Sequence, residues 1–248
     1  MTLLKREIMR FMKMGVQTLI APFISNILFL GIFAGFFTGQ TGGNQGMHYI
    51  PFIAPGLVFS AVVMSAYQNP VFSIITMKYH GMIHEFNLYP IKPFARMSAF
   101  IIAGTLRAFA IGLMTYIAIG IFAGFSIGFS FGFWGMIILI SIIFSTAGYL
   151  SGMYMKSFES SNFMVSLILT PLVYLGGVFF DTGKLPPVLR LIDSFNPFSV
   201  LIDFTRYLYI GSGKLPAAYS VICVALLVVI LFAASFHGTV KGIGVKIN

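Results

Sequence analysis

Charge is what this sequence lacks most. Only 8% of its 248 residues are charged, with six Asp and Glu against 15 Lys and Arg. Soluble domains carry about a quarter charged residues, so a water-soluble fold is excluded and most of the surface must face lipid. Cysteine is nearly absent too: Cys223 stands alone inside an apolar run, which excludes an intrachain disulfide and any Cys-based zinc site. Acids are missing from every apolar run, so ion-gradient coupling has no carboxylate handle in mid-membrane. The histidines, His48, His80, His84 and His237, sit near the ends of such runs or between them. Neither a Ser–His nor a paired-Asp constellation lies within a span, so an enzyme site is not expected.

What is present is long hydrophobic sequence, 58% of the chain. A membrane helix needs about 20 apolar residues to cross a core of about 30 Å. No Asp, Glu, Lys or Arg occurs between Lys13 and Lys78, nor between Arg107 and Lys156. With polar breaks at Thr38–Met47 and around Gly124–Gly132, these stretches predict spans near Gly15–Phe37, Ile50–Thr76, Met97–Ala123 and Gly132–Gly152. Two more follow near Asn162–Phe180 and Pro216–Phe236. The fold class expected is an all-α membrane protein of six transmembrane helices, one domain over residues 1–248. Placing both termini in the cytosol puts Lys5, Arg6, Arg10, Lys13, Lys78, Lys92, Arg96, Lys156, Lys241 and Lys246 inside. Only Lys184, Arg190, Arg206 and Lys214 then lie outside. The net charge of +9 therefore reads as membrane orientation and attraction to anionic lipid, with no nucleic-acid partner. No cleavable signal pattern is evident.

Three segments outside the spans stand out. Residues 1–14 place Leu4, Ile8, Phe11 and Met12 on one helical face, with Arg6, Arg10 and Lys13 opposite and Lys5 at the border. That spacing suits an amphipathic helix in the cytosolic interface, although a plain positive flank to the first span would share the composition. Residues 77–96 read as a cytosolic loop holding a short mixed-polarity helix that ends at Tyr89-Pro90. Its Ile83, Phe86 and Leu88 suit a groove on a soluble partner. Residues 181–215 are too apolar for a solvated linker. Asn196-Pro197 can open a helix there, with Asp203 and Arg206 three apart on it, and such helices would dip back into the outer leaflet.

Other signals carry less. His80 and His84 share a four-residue spacing but lack the HExxH glutamate and a third ligand, so no metal site is expected. Gly211-Ser212-Gly213-Lys214 imitates the end of a phosphate loop, yet Leu208 and Leu215 stand where glycine and Ser or Thr are required. Gly31/Gly35/Gly39 and Gly148/Gly152 repeat at the spacing of close helix contacts, as do glycines from Gly120 to Gly132. Arg107, inside the third span, must pair, snorkel or face water.

The stretches RFMKMGVQTLIAPFI (Arg10–Ile24), IHEFNLYP (Ile83–Pro90), TPLVYLGGVFF (Thr170–Phe180) and FNPFSVLIDFTRYLYIG (Phe195–Gly211) resemble the membrane subunit of an ABC-2-type ABC transporter. The likeness runs over essentially the whole chain. It implies a bacterial cytoplasmic-membrane exporter of an amphiphilic drug, lipid or glycan. The permease would pair with a second copy of itself and with two copies of an ATP-binding subunit that carries ATP and Mg, leaving no cofactor on this chain. It also implies that residues 77–90 are the coupling segment, with Ile83, His84, Glu85, Phe86, Leu88 and Pro90 as contacts. Glu85 holds the family's acidic position, whereas His84 replaces a second acid. The N-terminal helix with Lys5, Arg6, Arg10 and Lys13 would be the interfacial gate helix. Residues 181–215 would form paired re-entrant helices, with Asn196, Pro197 and Arg206 at recurrent positions. Arg107 and Asp203 join these as possible gate or pathway residues, on a path between two permeases near spans one, two and five. The alternatives are a gradient-driven carrier or channel acting without an ATPase, and a membrane scaffold without transport.

Overall fold

The computed structural model describes residues 2–13, 20, 23–25, 27–29, 31–32, 45–82, 91–123, 130–211, 213 and 215–242. Its main elements are all helical: α1 (Thr2–Lys13), α2 (Gln45–Tyr79), α3 (Pro93–Ala123) and α4 (Phe131–Tyr154) come first. Then α5 (Phe158–Phe163) runs through a π-helical segment, Met164–Leu169, into α6 (Thr170–Leu175). A 3₁₀ turn (Thr182–Lys184), α7 (Pro187–Ser194) and α8 (Pro197–Ile210) follow, and α9 (Ala217–Val240) closes the described chain. Among the described residues five helical stretches are long and apolar enough to cross a membrane: Pro51–Tyr79, Pro93–Ile121, Phe131–Tyr154, Phe158–Leu175 and Ala217–Val240. The first expected span, 15–37, falls largely outside the described residues.

The fifth helix differs from its expected bounds at both ends. It begins before Asn162 because Ser157 caps it, its hydroxyl accepting the Ser160 N–H at 3.3 Å, which brings Glu159 into the first turn. It stops at Leu175, short of Phe180, because Gly176 and Gly177 follow, and Gly177 has φ of 91°.

Helix α2 is the axle of the bundle. Its most apolar window is 83% buried, against 11% for α9 at the rim. The core around it joins Phe59, Val62, Ile137, Ile140 and Ile119, with Phe198 of α8 stacked on Phe144 at 5.2 Å between ring centroids. Pro70 sits inside α2 and cannot donate to the Ala66 carbonyl. Ser145 of α4 supplies the missing donor, its Oγ lying 3.3 Å from that oxygen. Gly148 lets the two backbones meet here: a Cβ on it would stand 2.2 Å from the Tyr67 carbonyl oxygen. Gly152 continues the seam against Ile74 and Val71, whereas Gly31 meets nothing within 4 Å among the described residues and Gly35 and Gly39 lie outside them.

At one end of the bundle Lys78 closes α4. Its ammonium donates to the carbonyls of Gly152, Met153 and Met155 at 2.9, 2.7 and 2.8 Å. These are terminal carbonyls with no helical partner, at the negative end of the helix dipole. Helix α9 is fastened nearby through Tyr149–Thr239 (3.1 Å) and Ser235 Oγ to the Thr146 carbonyl (3.3 Å).

Candidate functional site

At the Lys78 end, α1 does not simply float with its cations outward. Helical spacing puts Leu3, Glu7 and Arg10 on one face, and that face meets the bundle. Glu7 is only 1% exposed. Its Oε1 accepts from Arg6 at 3.1 Å, and its Oε2 accepts from Arg10 Nε at 3.1 Å and from Ser73 Oγ at 2.6 Å. Arg10 also donates to the carbonyl and the side-chain oxygen of Asn69 at 3.1 and 3.2 Å, and Arg6 reaches Met77 Sδ at 3.1 Å. A buried carboxylate requires such donors, so two of the four α1 cations turn inward to it. Lys5 and Lys13 stay exposed, and all four cations line a cleft of about 500 Å³ on the open side of α1. The sequence signal for this latch was the run Arg6-Glu7-x-x-Arg10 on the face of Leu3, facing a polar stripe Ser65/Asn69/Ser73 at four-residue spacing in α2.

At the opposite end, Asn196, Pro197, Asp203 and Arg206, expected at a gate, hold α7 and α8 in place. Asn196 caps α8, its Oδ1 accepting the Phe198 N–H at 3.1 Å, while its Nδ2 donates to the Leu172 carbonyl of α6 at 2.7 Å. Pro197 occupies the first turn of α8, where no N–H is needed. Arg206 donates to the Gly177 carbonyl at 2.8 Å and the Phe52 carbonyl at 3.3 Å, and its guanidinium lies 4.0 Å from the centroid of the Phe52 ring. Asp203 accepts the Leu215 N–H at 2.8 Å, closing the turn beyond α8. Asp193 and Ser199 hydrogen-bond between α7 and α8. Asp193, Asp203 and Arg206 share the walls of a cavity of about 230 Å³.

Arg206→Met removes two buried charge-assisted bonds and a ring contact, and should lower stability by about 2–3 kcal/mol. Thermal unfolding of the detergent-solubilised protein reads this, and an unchanged midpoint would remove Arg206 as the fastener.

Helix α2 ends at Tyr79, and Gly81 (φ 69°) turns the chain away. The expected partner contacts Ile83, His84, Glu85, Phe86, Leu88 and Pro90 lie outside the described residues. Arg107 lies at the midpoint of the Pro93–Ile121 stretch and is 8% exposed, separate from the group around α7 and α8.

The sequence that builds these apolar helices matches a family model, ABC-2 type transporter, over residues 1–210. The chain belongs to that family. It is 32% identical over 216 residues to the inner membrane transport permease YadH of Escherichia coli K12, covering 85% of this chain and 82% of the relative. It is also 25% identical over 240 residues to the daunorubicin resistance ABC transporter permease protein DrrB1 of Streptomyces coeruleorubidus, covering 94% of this chain and 82% of the relative. The chain is thus an ABC transporter permease, a multi-pass protein of the cytoplasmic membrane. Members of this family are transmembrane subunits and generally work with an ATP-binding subunit.

Proposed function

We propose that this chain is the membrane-spanning half of an ATP-driven exporter of amphiphilic molecules, working as a homodimer with two ATP-binding subunits. ATP and Mg would reside on those subunits, with no cofactor here. The observation that carries the reading is the family match across residues 1–210. The drug-resistance role in the name of DrrB1 supports a drug-like cargo, alongside a lipid or a lipid-linked glycan. Six spans, with the first near residues 15–37 and both termini cytosolic, complete the topology. Supporting that orientation, the Lys78 end of the bundle carries Arg6, Arg10, Lys78 and Lys156 together.

The mechanism follows from where the fastenings lie. The segment Ile83–Pro90 leaves the inner end of α2, and the ATP-binding subunits would grip it there. Closure of those subunits would move α2, and the Glu7 latch would carry α1 with it. At the outer end, α7 and α8 re-enter the leaflet, and Asn196 and Arg206 set their resting position. Replacing Ile83 or Glu85 with alanine should cut ATPase stimulation and flux at least about tenfold while leaving the protein inserted. Unchanged coupling in both variants would contradict the assignment. Uphill flux by the permease reconstituted alone, with no ATP, would replace it by a gradient-driven carrier.

A further inference from the structure

Among the described residues, the stretch of the bundle between its Lys78 end and its middle carries more positive charge and more hydrogen-bond donors than its own residues use. Arg107 is 8% exposed, and its Nε is fully buried with no hydrogen-bond partner. Asn69, 1% exposed, spends its side-chain oxygen on Arg10, while its Nδ2 has no partner. Ser65, one turn further along the same face of α2, is 4% exposed with an unpartnered hydroxyl. These groups sit at one level. Gly104, one turn before Arg107 on α3, packs with its Cβ position 3.3 Å from the ring of Pro70, the residue after Asn69. Arg10 is bonded to Asn69, so a second guanidinium stands beside these groups.

The local carboxylate does not balance this charge. Both Glu7 oxygens are taken by Arg6, Arg10 and Ser73. Among the described acids, Asp181, Asp193 and Asp203 belong to the opposite end and Glu159 is exposed. A guanidinium in mid-span without a counter-ion is costly, and each unpaired buried donor adds about 1–3 kcal/mol. All the unpaired groups can donate to an acceptor, and two of them, the guanidinium and the amide N–H, can only donate. Together they suit an oxyanion.

We infer that Arg107, Asn69 and Ser65, flanked by Arg10, form a binding site for the oxyanion head of an anionic amphiphile, a phosphodiester or carboxylate carried on an apolar tail. The tail suits the site because its surroundings are membrane-spanning and apolar. Calling this ligand the cargo rests on the exporter reading; the binding itself does not.

The test titrates the purified full-length permease in neutral detergent with dioctanoyl-phosphatidylglycerol, dioctanoyl-phosphatidylcholine or inorganic phosphate, following the thermal midpoint. The wild type should be stabilised by phosphatidylglycerol at concentrations about tenfold below those needed for phosphatidylcholine. Arg107→Gln and Asn69→Asp should each weaken the phosphatidylglycerol response at least about tenfold, the second by supplying the carboxylate that the ligand would otherwise bring. Arg107→Lys should keep part of it, and Lys241→Gln, at an exposed cation, should keep all of it. An equal response in Arg107→Gln and wild type would overturn the site, as would no preference for the anionic lipid. An equal effect of inorganic phosphate would overturn the amphiphile. A failed ATP-coupling test with these lipid responses intact would remove the exporter reading and leave the site standing.

Discussion

Glu7→Gln should loosen α1 from the bundle and lower stability by about 2–3 kcal/mol. Removing one partner of a buried ion pair costs about 3–5 kcal/mol, because the other charge is left without compensation. Here the figure is reduced, since the Arg6 and Arg10 side chains are 47% and 28% exposed and water reclaims part of their charge. Three donors lose a charged acceptor, and Ser73 would be left facing a neutral amide. Thermal unfolding measures the loss, and cleavage by trypsin at Arg6 or Arg10 should become faster in the folded state. A double-mutant cycle with Ser73→Ala should give a coupling of about 1 kcal/mol or more. Simple additivity would mean that α1 is not held by this contact.

Gly148→Ala should be more damaging, by about 3 kcal/mol or more, and should depress yield in the membrane. The added methyl would stand 2.2 Å from the Tyr67 carbonyl oxygen, 2.9 Å from its carbon and 3.0 Å from Pro70. Backbone cannot step aside as a flexible side chain can, so α2 and α4 must separate. Separation would also strand the Ala66 carbonyl that Ser145 satisfies. Gly135 on the same helix has nothing within 4 Å of its Cβ position. Gly135→Ala should be neutral or stabilising by about 0.5–1 kcal/mol. If the two substitutions have equal effects in thermal unfolding, the close approach is not holding the bundle.

The spans were legible because lipid imposes length and charge depletion directly on sequence, and the five expected from residue 50 onward each overlap an observed helix. The start of α8 was legible for a local reason: an Asn cap followed by Pro states a helix N-terminus within two residues. The Gly148/Gly152 seam was visible as spacing, but which backbone it met was not. Gly104 and Gly112, which also approach neighbouring helices closely, carry no such repeat. The Glu7 latch stayed hidden because its partners on α2 are distant in sequence, Asn69 lying 59 residues from Arg10 and Ser73 66 from Glu7, and single polar residues in an apolar run look incidental. Arg107 was legible as an expense, while the groups around it are a matter of tertiary arrangement.

Of the three prolines in the axle, Pro51, Pro55 and Pro70, the last has a consequence for how force enters the bundle. A helix missing a rung bends more readily there than in its unbroken turns. Because Pro70 lies between the core contacts of Phe59 and the Lys78 end of α2, a tug on the chain past Tyr79 would be taken up by the short arm Val71–Tyr79. That arm bears Ser73 and Lys78, so the latch and the α4 tether ride on the lever itself, and its pivot rests on the hydroxyl of Ser145.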